Sequence, residues 1–313
     1  MAVNWGFLGA GWVARRALAP AVHAASNARL YAVASRDRGR SASLQPEVVH
    51  DTYESLLDDP AVDVVYIGLA NHQHAEWAVR ALGAGKHVLC EKPLAVSADE
   101  ADWMAHAAVA ADRLLVEAVW CRWHPRFRRL VELATSGALG DLREVASSFT
   151  FPADVTGNYR SRPELGGGAL LDVGGYQVHA WVALTGGADR LRVRSVQQSL
   201  GPTGIDLTTR ITATLDDRVQ ADALCSFEMP EQQALSVVGS AATATTGAGA
   251  AFTSWRETSS LLVGAVEETF VGVDAYEVMV AAMSDRTATG EGWVVPLAES
   301  VRVAEIIDAL TVA

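Results

Sequence analysis

Two places in this chain carry residues that could move a proton at a reacting oxygen. The first is Lys92, in the run Lys86-His87-Val88-Leu89-Cys90-Glu91-Lys92-Pro93, directly after an apolar stretch that reads as a strand. Pro93 fixes its own φ and offers no backbone donor, and a residue before proline is biased towards extended geometry. A lysine held there can bond the oxygen of a hydroxyl or carbonyl and polarise it, although residue type alone is equally compatible with a solvated turn. The second is the run Gly166-Gly167-Gly168-Ala169-Leu170-Leu171-Asp172-Val173-Gly174-Gly175-Tyr176-Gln177-Val178-His179. If a helix begins at Ala169, Asp172, Tyr176 and His179 fall at i, i+4 and i+7 and share one face. Such a polar stripe in an apolar helix is either a satisfied core network or a general acid/base. In the second case Tyr176 moves the proton of a substrate hydroxyl while Lys92 lowers its effective pKa. The three glycines admit the close approach of a ligand or of another backbone.

Neither group carries a hydride, which belongs to a cofactor. The run Val3–Leu8 reads as a buried strand and is followed at once by Gly9-Ala10-Gly11-Trp12-Val13-Ala14 and a helix. This G-x-G-x-x-A turn at a strand–helix junction brings backbone amides and a helix start to a pyrophosphate, with Gly9, Gly11, Trp12 and Val13 at the contact. The second strand ends in Ala34-Ser35-Arg36-Asp37, with Ser35 21 positions after Ala14. A hydroxyl followed by a guanidinium suits a 2′-phosphate and favours NADP(H). Asp37, one register further, keeps NAD(H) as the alternative, since an acid there would accept from a free 2′-hydroxyl. His72 and His74 follow another strand. With no cysteine or carboxylate at ligand spacing, helix-start or cofactor contacts are favoured over a metal pair, and no metal site is expected. No G-x-S-x-G, H-E-x-x-H or Walker A motif is present, which argues against the common hydrolase and nucleotidase readings.

The elements that must position these groups change character along the chain. Strands at Val3–Leu8, 29–35, 62–69 and His87–Cys90 alternate with helices at 12–25, 75–84 and Ala98–Ala111, the pattern of parallel βαβ units. A Rossmann dinucleotide-binding domain is therefore expected over 1–118. Residues 119–313 read as a second α/β domain with a mainly antiparallel, open sheet. Helices are expected at Pro125–Thr135 and 169–184, with strands near 142–151, 192–199, 208–215, 219–227 and 234–238. A closing amphipathic helix near 296–310 could pack back on the first domain.

Among 313 residues, 25 Lys and Arg against 37 Asp and Glu leave a net charge of −12, which argues against nucleic acid or an anionic membrane as partner. Three widely spaced cysteines form neither a disulfide framework nor a C-x-x-C site. With no signal-like segment at the start, a cytoplasmic protein is expected. The weakly charged strand 234–238 suggests a sheet face or edge covered by a second copy.

Taken together, Gly9-Ala10-Gly11, Ala34-Ser35-Arg36-Asp37, Glu91-Lys92-Pro93 and the Gly166–Tyr176 segment resemble the Gfo/Idh/MocA family of NAD(P)-dependent oxidoreductases. Tyr176 stands four residues after Asp172, where inositol-type members often carry His. This is similar to the dihydrodiol dehydrogenase and D-xylose dehydrogenase branch, as are Val116–Arg122 and Val295–Ser300. The resemblance implies a Rossmann domain joined to an α/β domain whose open sheet forms a homodimer face. It also implies that Lys92 is catalytic, Tyr176 is the acid/base and Asp172 supports the pair. Trp120 would be an aromatic wall of the site and Trp255 a second one, with His179 also facing substrate. Leu69, Asn71, His74, Glu91 and Arg122 would join the motif residues around the cofactor. The expected function is NADP(H)-dependent oxidation or reduction of a CH–OH/C=O group of a sugar or cyclic trans-dihydrodiol, an aromatic wall suiting the apolar face of such a ring. Two alternatives stand beside it. One is a nucleotide-sugar ketoreductase, for which Arg160 and Arg162 would meet a diphosphate; the other is a non-catalytic NADP(H)-binding sensor.

Overall fold

The run Val-Asn-Trp-Gly-Phe-Leu has almost no polar residue to turn outwards, the mark of a strand covered on both faces. In the computed structural model, which describes residues 2–312, it forms β1 (Val3–Leu8), with Trp5, Phe7 and Leu8 fully buried. It is central to a six-stranded sheet, with β2 (Ala28–Ala34), β3 (Val48–His50), β4 (Val64–Ile67), β5 (His87–Cys90) and β6 (Leu115–Glu117) in the order β3-β2-β1-β4-β5-β6. Every pairing is parallel. The order reverses at β1, which lies between β2 and β4. That switch point is where the carboxyl ends of strands open a crevice for a ligand.

This sheet belongs to the first of two compact units, made of residues up to Ala95, Asp99–Trp120 and Asp274–Leu297. The last stretch contains the helix Ala275–Thr289, whose Ser284 hydroxyl accepts from the Trp5 indole nitrogen at 3.0 Å. Asn27 fastens the same helix by donating to the Ala281 carbonyl and the Asp285 carboxylate, at 2.9 and 2.7 Å.

The second unit, Val96–Ala98, Cys121–Val273 and from Ala298 onward, holds an eight-stranded sheet. Its strands are β7 (Leu142–Thr150), β8 (Leu191–Leu200), β9 (Asp206–Leu215), β10 (Val219–Ser226), β11 (Gln232–Gly239), β12 (Thr243–Thr246), β13 (Ser259–Val263) and β14 (Val266–Phe270). They run in the order β14-β13-β12-β11-β7-β10-β9-β8, with only β7–β10 parallel. Alternate residues such as Val145, Phe149, Ile211, Ala221, Cys225 and Val237 are buried on one face, where the helix Gly175–Thr185 packs against β7. The opposite face presents Ala146, Ser148, Thr212, Asp222, Ala234 and Ser236 in register.

The helix expected over 169–184 is present as one continuous run, but its first part is wound differently from the rest. Leu170–Gly174 forms a π-helical turn and Gly175–Thr185 a regular α-helix. Asp172 lies inside the wider turn, so the regular 3.6-residue spacing that would align it with Tyr176 and His179 does not run unbroken through the segment. Among the described residues no helix is long and apolar enough to cross a membrane.

Candidate active site

The glycine turn is shaped by two different demands. Gly9 has φ +96°, and a Cβ there would fall 2.5 Å from the Gly68 carbonyl oxygen; its amide donates to Ala34 at 2.8 Å. Gly11 is exposed, and a Cβ on it would meet protein only at 3.9 Å. Its missing side chain leaves open backbone at the start of a helical segment, the surface a pyrophosphate requires. Trp12 is 67 % exposed beside it and Val13 half-buried. Leu69 is half-buried after β4, and Asn71 is buried.

At the end of β2, Asp37 is occupied by its own chain. Its carboxylate accepts from the Arg40 amide at 3.0 Å, capping the helix Arg38–Ser43, and pairs with the Arg40 side chain at 3.5 Å. Ser35 donates to the Asp37 carbonyl at 2.8 Å and lies 2.8 Å from the Ser41 hydroxyl. Arg38 pairs with Asp51. Arg36 is exposed and, among the described residues, forms no ion pair. Its charge reaches Tyr53, whose hydroxyl burial pushes up in pKa and Arg36 pulls partly back. Tyr53 in turn meets Trp77 edge-on at 4.9 Å. An open turn, an unclaimed guanidinium and nearby aromatic rings in one βαβ frame fit a dinucleotide.

The Lys92–Pro93 bond is cis. The Pro93 carbonyl lies 2.8 Å from His74 Nδ1, and the Leu69 carbonyl 3.3 Å from Nε2. Burial pulls the His74 pKa down, partly offset by these two carbonyls. Glu91 accepts from the Tyr66 hydroxyl at 2.9 Å and from the Lys92 amide at 3.2 Å. Burial raises its pKa to about 7, held from rising further by the Lys92 charge and these two bonds. Gly68 makes room for the Tyr66 ring, since a Cβ there would fall 2.8 Å from it. Buried Glu117 accepts from the Leu94 amide at 2.9 Å. Trp120 is buried and stacks on Tyr276 at 5.3 Å, 27° between planes.

In the second unit Tyr176 is 6 % exposed. Its ring lies 5.7 Å from Phe149 and 6.0 Å from Phe252, and those two stack on each other at 5.8 Å. Asp172 is gripped by Arg160, Nε to Oδ2 at 2.8 Å and Nη2 to Oδ1 at 3.4 Å. Burial pulls the Arg160 pKa down, but Asp172 and the neighbouring Tyr159 and Tyr176 more than offset it, and the net shift is upward. Arg162 pairs with Glu164 at 2.7 Å. His179 is buried. Trp255 is half-buried with the Arg256 guanidinium over its ring at 4.1 Å. Arg122 is buried and donates to Glu299 at 2.7 Å.

The glycine run admits the chain's own atoms. A Cβ on Gly167 would collide with the Arg160 backbone, and one on Gly168 (φ +110°) with the Asp206 carboxylate. Asp206 accepts from the Leu170 amide at 2.8 Å and the Thr209 hydroxyl at 2.6 Å, holding the π-helical turn at its start. Sequence patterning does not reveal Asp206, Tyr66 or the Arg160–Asp172 pairing. Tyr66 leaves one signal, a hydroxyl in an otherwise aliphatic strand. Asp206 leaves none, because it lies 36 residues from its partner Leu170.

A parallel sheet with a glycine turn at its switch point, joined to an open sheet bearing a buried tyrosine beside an Arg–Asp pair, defines a two-unit, dinucleotide-dependent oxidoreductase. The chain belongs to the Gfo/Idh/MocA oxidoreductase family. Residues 3–118 match its domain described as an oxidoreductase family with NAD-binding Rossmann fold, and residues 127–245 its C-terminal domain. It is 36 % identical to a D-xylose 1-dehydrogenase (NADP(+)) of Haloferax volcanii over 98 % of this chain and 95 % of the relative. It is 30 % identical to the trans-1,2-dihydrobenzene-1,2-diol dehydrogenase of Mus musculus over 98 % and 96 %. A 3-ketoreductase from Actinomadura kijaniata, solved with NADP and TDP-benzene, superposes with a TM-score of 0.89 at 28 % identity, covering 100 % of this chain and 98 % of that one.

Proposed function

We propose that this oxidoreductase uses NADP(H) to interconvert a CH–OH and a C=O group on a free sugar or a cyclic trans-dihydrodiol. The observation that carries the choice of NADP(H) is at the end of β2, where Asp37 is spent on a helix cap while Arg36 stays available for a 2′-phosphate. Bound NADP(H) supplies or takes up the hydride. Gly9 and Gly11 bring backbone amides to the pyrophosphate, and Trp12, Val13, Leu69, Asn71, Glu91 and Arg122 line or brace the rest of the cofactor, with His74 bracing the Pro93 turn. Lys92 donates to the reacting oxygen and favours its negative form. Tyr176 gives or takes the hydroxyl proton, held in its aromatic bed and oriented through Asp172 and Arg160. Trp120, Trp255 and His179 contribute to the substrate side.

A free sugar or diol is favoured over a nucleotide sugar because Arg160 and Arg162, the cations that would meet a diphosphate, are paired with Asp172 and Glu164. In this reading residues 1–118 form the cofactor domain and 119–313 the substrate and dimerisation domain; the closing helix expected to pack back on the first domain belongs instead to the second unit, and the helix Ala275–Thr289 belongs to the first. The setting proposed is the cytoplasm.

The test is NADP⁺ reduction, followed at the nicotinamide band, against aldoses, polyols, trans-dihydrodiols and TDP-sugars. Turnover with a free aldose or diol is expected. Turnover confined to TDP-sugars would replace the reading with a ketoreductase, and NADPH binding with no turnover on any class would replace it with a sensor.

A further inference from the structure

Arg126 is 3 % exposed and, among the described residues, pairs with no carboxylate. Its guanidinium instead meets four consecutive backbone carbonyls. Nη1 donates to Ala248 at 3.1 Å and Gly249 at 3.4 Å, and Nη2 to Ala250 at 2.6 Å and Ala251 at 2.9 Å. Burial brings its pKa down to about 10, so the group remains a cation at neutral pH. An interior cation without a counter-ion is costly, and here it is compensated only while those carbonyls converge on the planar fork. The segment Ala248-Gly249-Ala250-Ala251 has no side chain able to hold itself in place.

The next residue in the chain is Phe252, fully buried, stacked on Phe149 and 6.0 Å from Tyr176. Gln233 secures it from the other side. Its Oε1 accepts from the Phe252 amide at 3.1 Å and its Nε2 donates to the Thr253 hydroxyl at 2.7 Å. Three polar side chains, Arg126 on the helix Pro125–Thr135, Gln233 on β11 and Ser260 on β13, whose Oγ accepts from the Ala248 amide at 2.7 Å, thus fix a bland loop that leads directly into the bed of the acid/base tyrosine.

We propose that Arg126 is a positioning residue for the reaction, latching the 248–251 segment so that Phe252 and Phe149 hold the Tyr176 ring in its working orientation. The inference rests on Tyr176 being the acid/base. A guanidinium is required: an ammonium has three donors on one nitrogen and cannot face four carbonyls strung along a loop. The latch, loop and tyrosine all belong to the second unit, so its loss acts on the proton transfer and not on the dinucleotide turn.

Arg126→Lys, Phe252→Leu and the double variant are compared with the wild type by hydrogen exchange of residues 247–253, by kcat and KM, and by NADPH titration. Arg126→Lys is expected to speed exchange of these amides at least tenfold. Its kcat should fall at least tenfold, with substrate KM within threefold and NADPH affinity within twofold of the wild type. The double variant should lose no more than the worse single, since both act through one contact. Multiplying losses, weakened NADPH binding, or a wild-type kcat in Arg126→Lys would overturn the inference. Should Arg126→Lys not fold, Gln233→Met loosens the same loop and must show the same kcat loss. If the wild type turns over no substrate, the proposed function fails, yet the exchange readout still decides the latch: unchanged protection in Arg126→Lys refutes it.

Discussion

Arg36 and Asp37 are neighbours in the loop after β2, yet only one is available to a ligand. Asp37 is committed to the Arg40 amide, and Arg36 lies exposed near Tyr53. Arg36→Ala should therefore weaken NADPH at least tenfold and leave NADH within about twofold, the loss of one charge-assisted phosphate contact being worth about 1.5–3 kcal/mol. Equal weakening of both in fluorescence titrations would show that Arg36 serves the fold and not the phosphate. Glu91 makes a second prediction. Its folded pKa of about 7 stands above the ordinary 4.5. Between those values the folded chain holds a proton that the unfolded chain has released, so the contribution of Glu91 to stability falls as pH rises through the window and stays low above it. A shift of this size corresponds to a loss on the order of 3 kcal/mol. Urea unfolding from pH 4.5 to 8 should show the wild type declining relative to Glu91→Gln, and parallel curves would contradict the assignment.

At the scale of elements, the π-helical turn depends on Asp206 and on the glycines that let it approach. Gly168 combines a φ of +110° with contact to the Asp206 carboxylate. Gly168→Ala should cost about 2–3 kcal/mol from backbone strain and displacement of that cap, and should disturb Asp172 with it. A loss below 1 kcal/mol by denaturant unfolding would mean that the turn tolerates a side chain. The same segment shows where a sequence stops being legible. The strands Val3–Leu8 and His87–Cys90 and the helices Ala98–Ala111 and Pro125–Thr135 are readable in advance, because their apolar runs and Pro or Gly boundaries are local signals. The π-helical turn, the Asp206 cap and the Arg126 latch are set by partners far along the chain, and periodicity carries no trace of them. The helix Ala275–Thr289 is equally hidden, its Ala, Ser and Thr leaving a weak apolar stripe around Met279, Val280 and Met283. Asp172 and Tyr176 are visible by type, but that Asp172 is held by Arg160 is not.

For the molecule as a whole, the second face of the eight-stranded sheet carries Ala146, Ser148, Ala234 and Ser236 in register, with Glu144, Arg210 and Asp222 in the neighbouring positions. Among the described residues Ser148 Oγ is buried there without a hydrogen-bond partner. Such a face suits a second copy, and a homodimer through it is expected. Sedimentation at micromolar concentration should give a dimer that Ser236→Arg converts to folded monomer. A wild-type monomer would remove the proposal.

The central claim is that a Gfo/Idh/MocA oxidoreductase here moves its proton through Tyr176. The most direct measurement is kcat of Tyr176→Phe, on whichever aldose or diol the wild type turns over, with NADPH affinity measured on the same preparation. The predicted result is a fall in kcat of about 10²–10⁴ with NADPH binding unchanged, the range expected for removing a general acid/base. A variant that keeps its kcat within tenfold, on the same substrate and with NADPH bound, would contradict it.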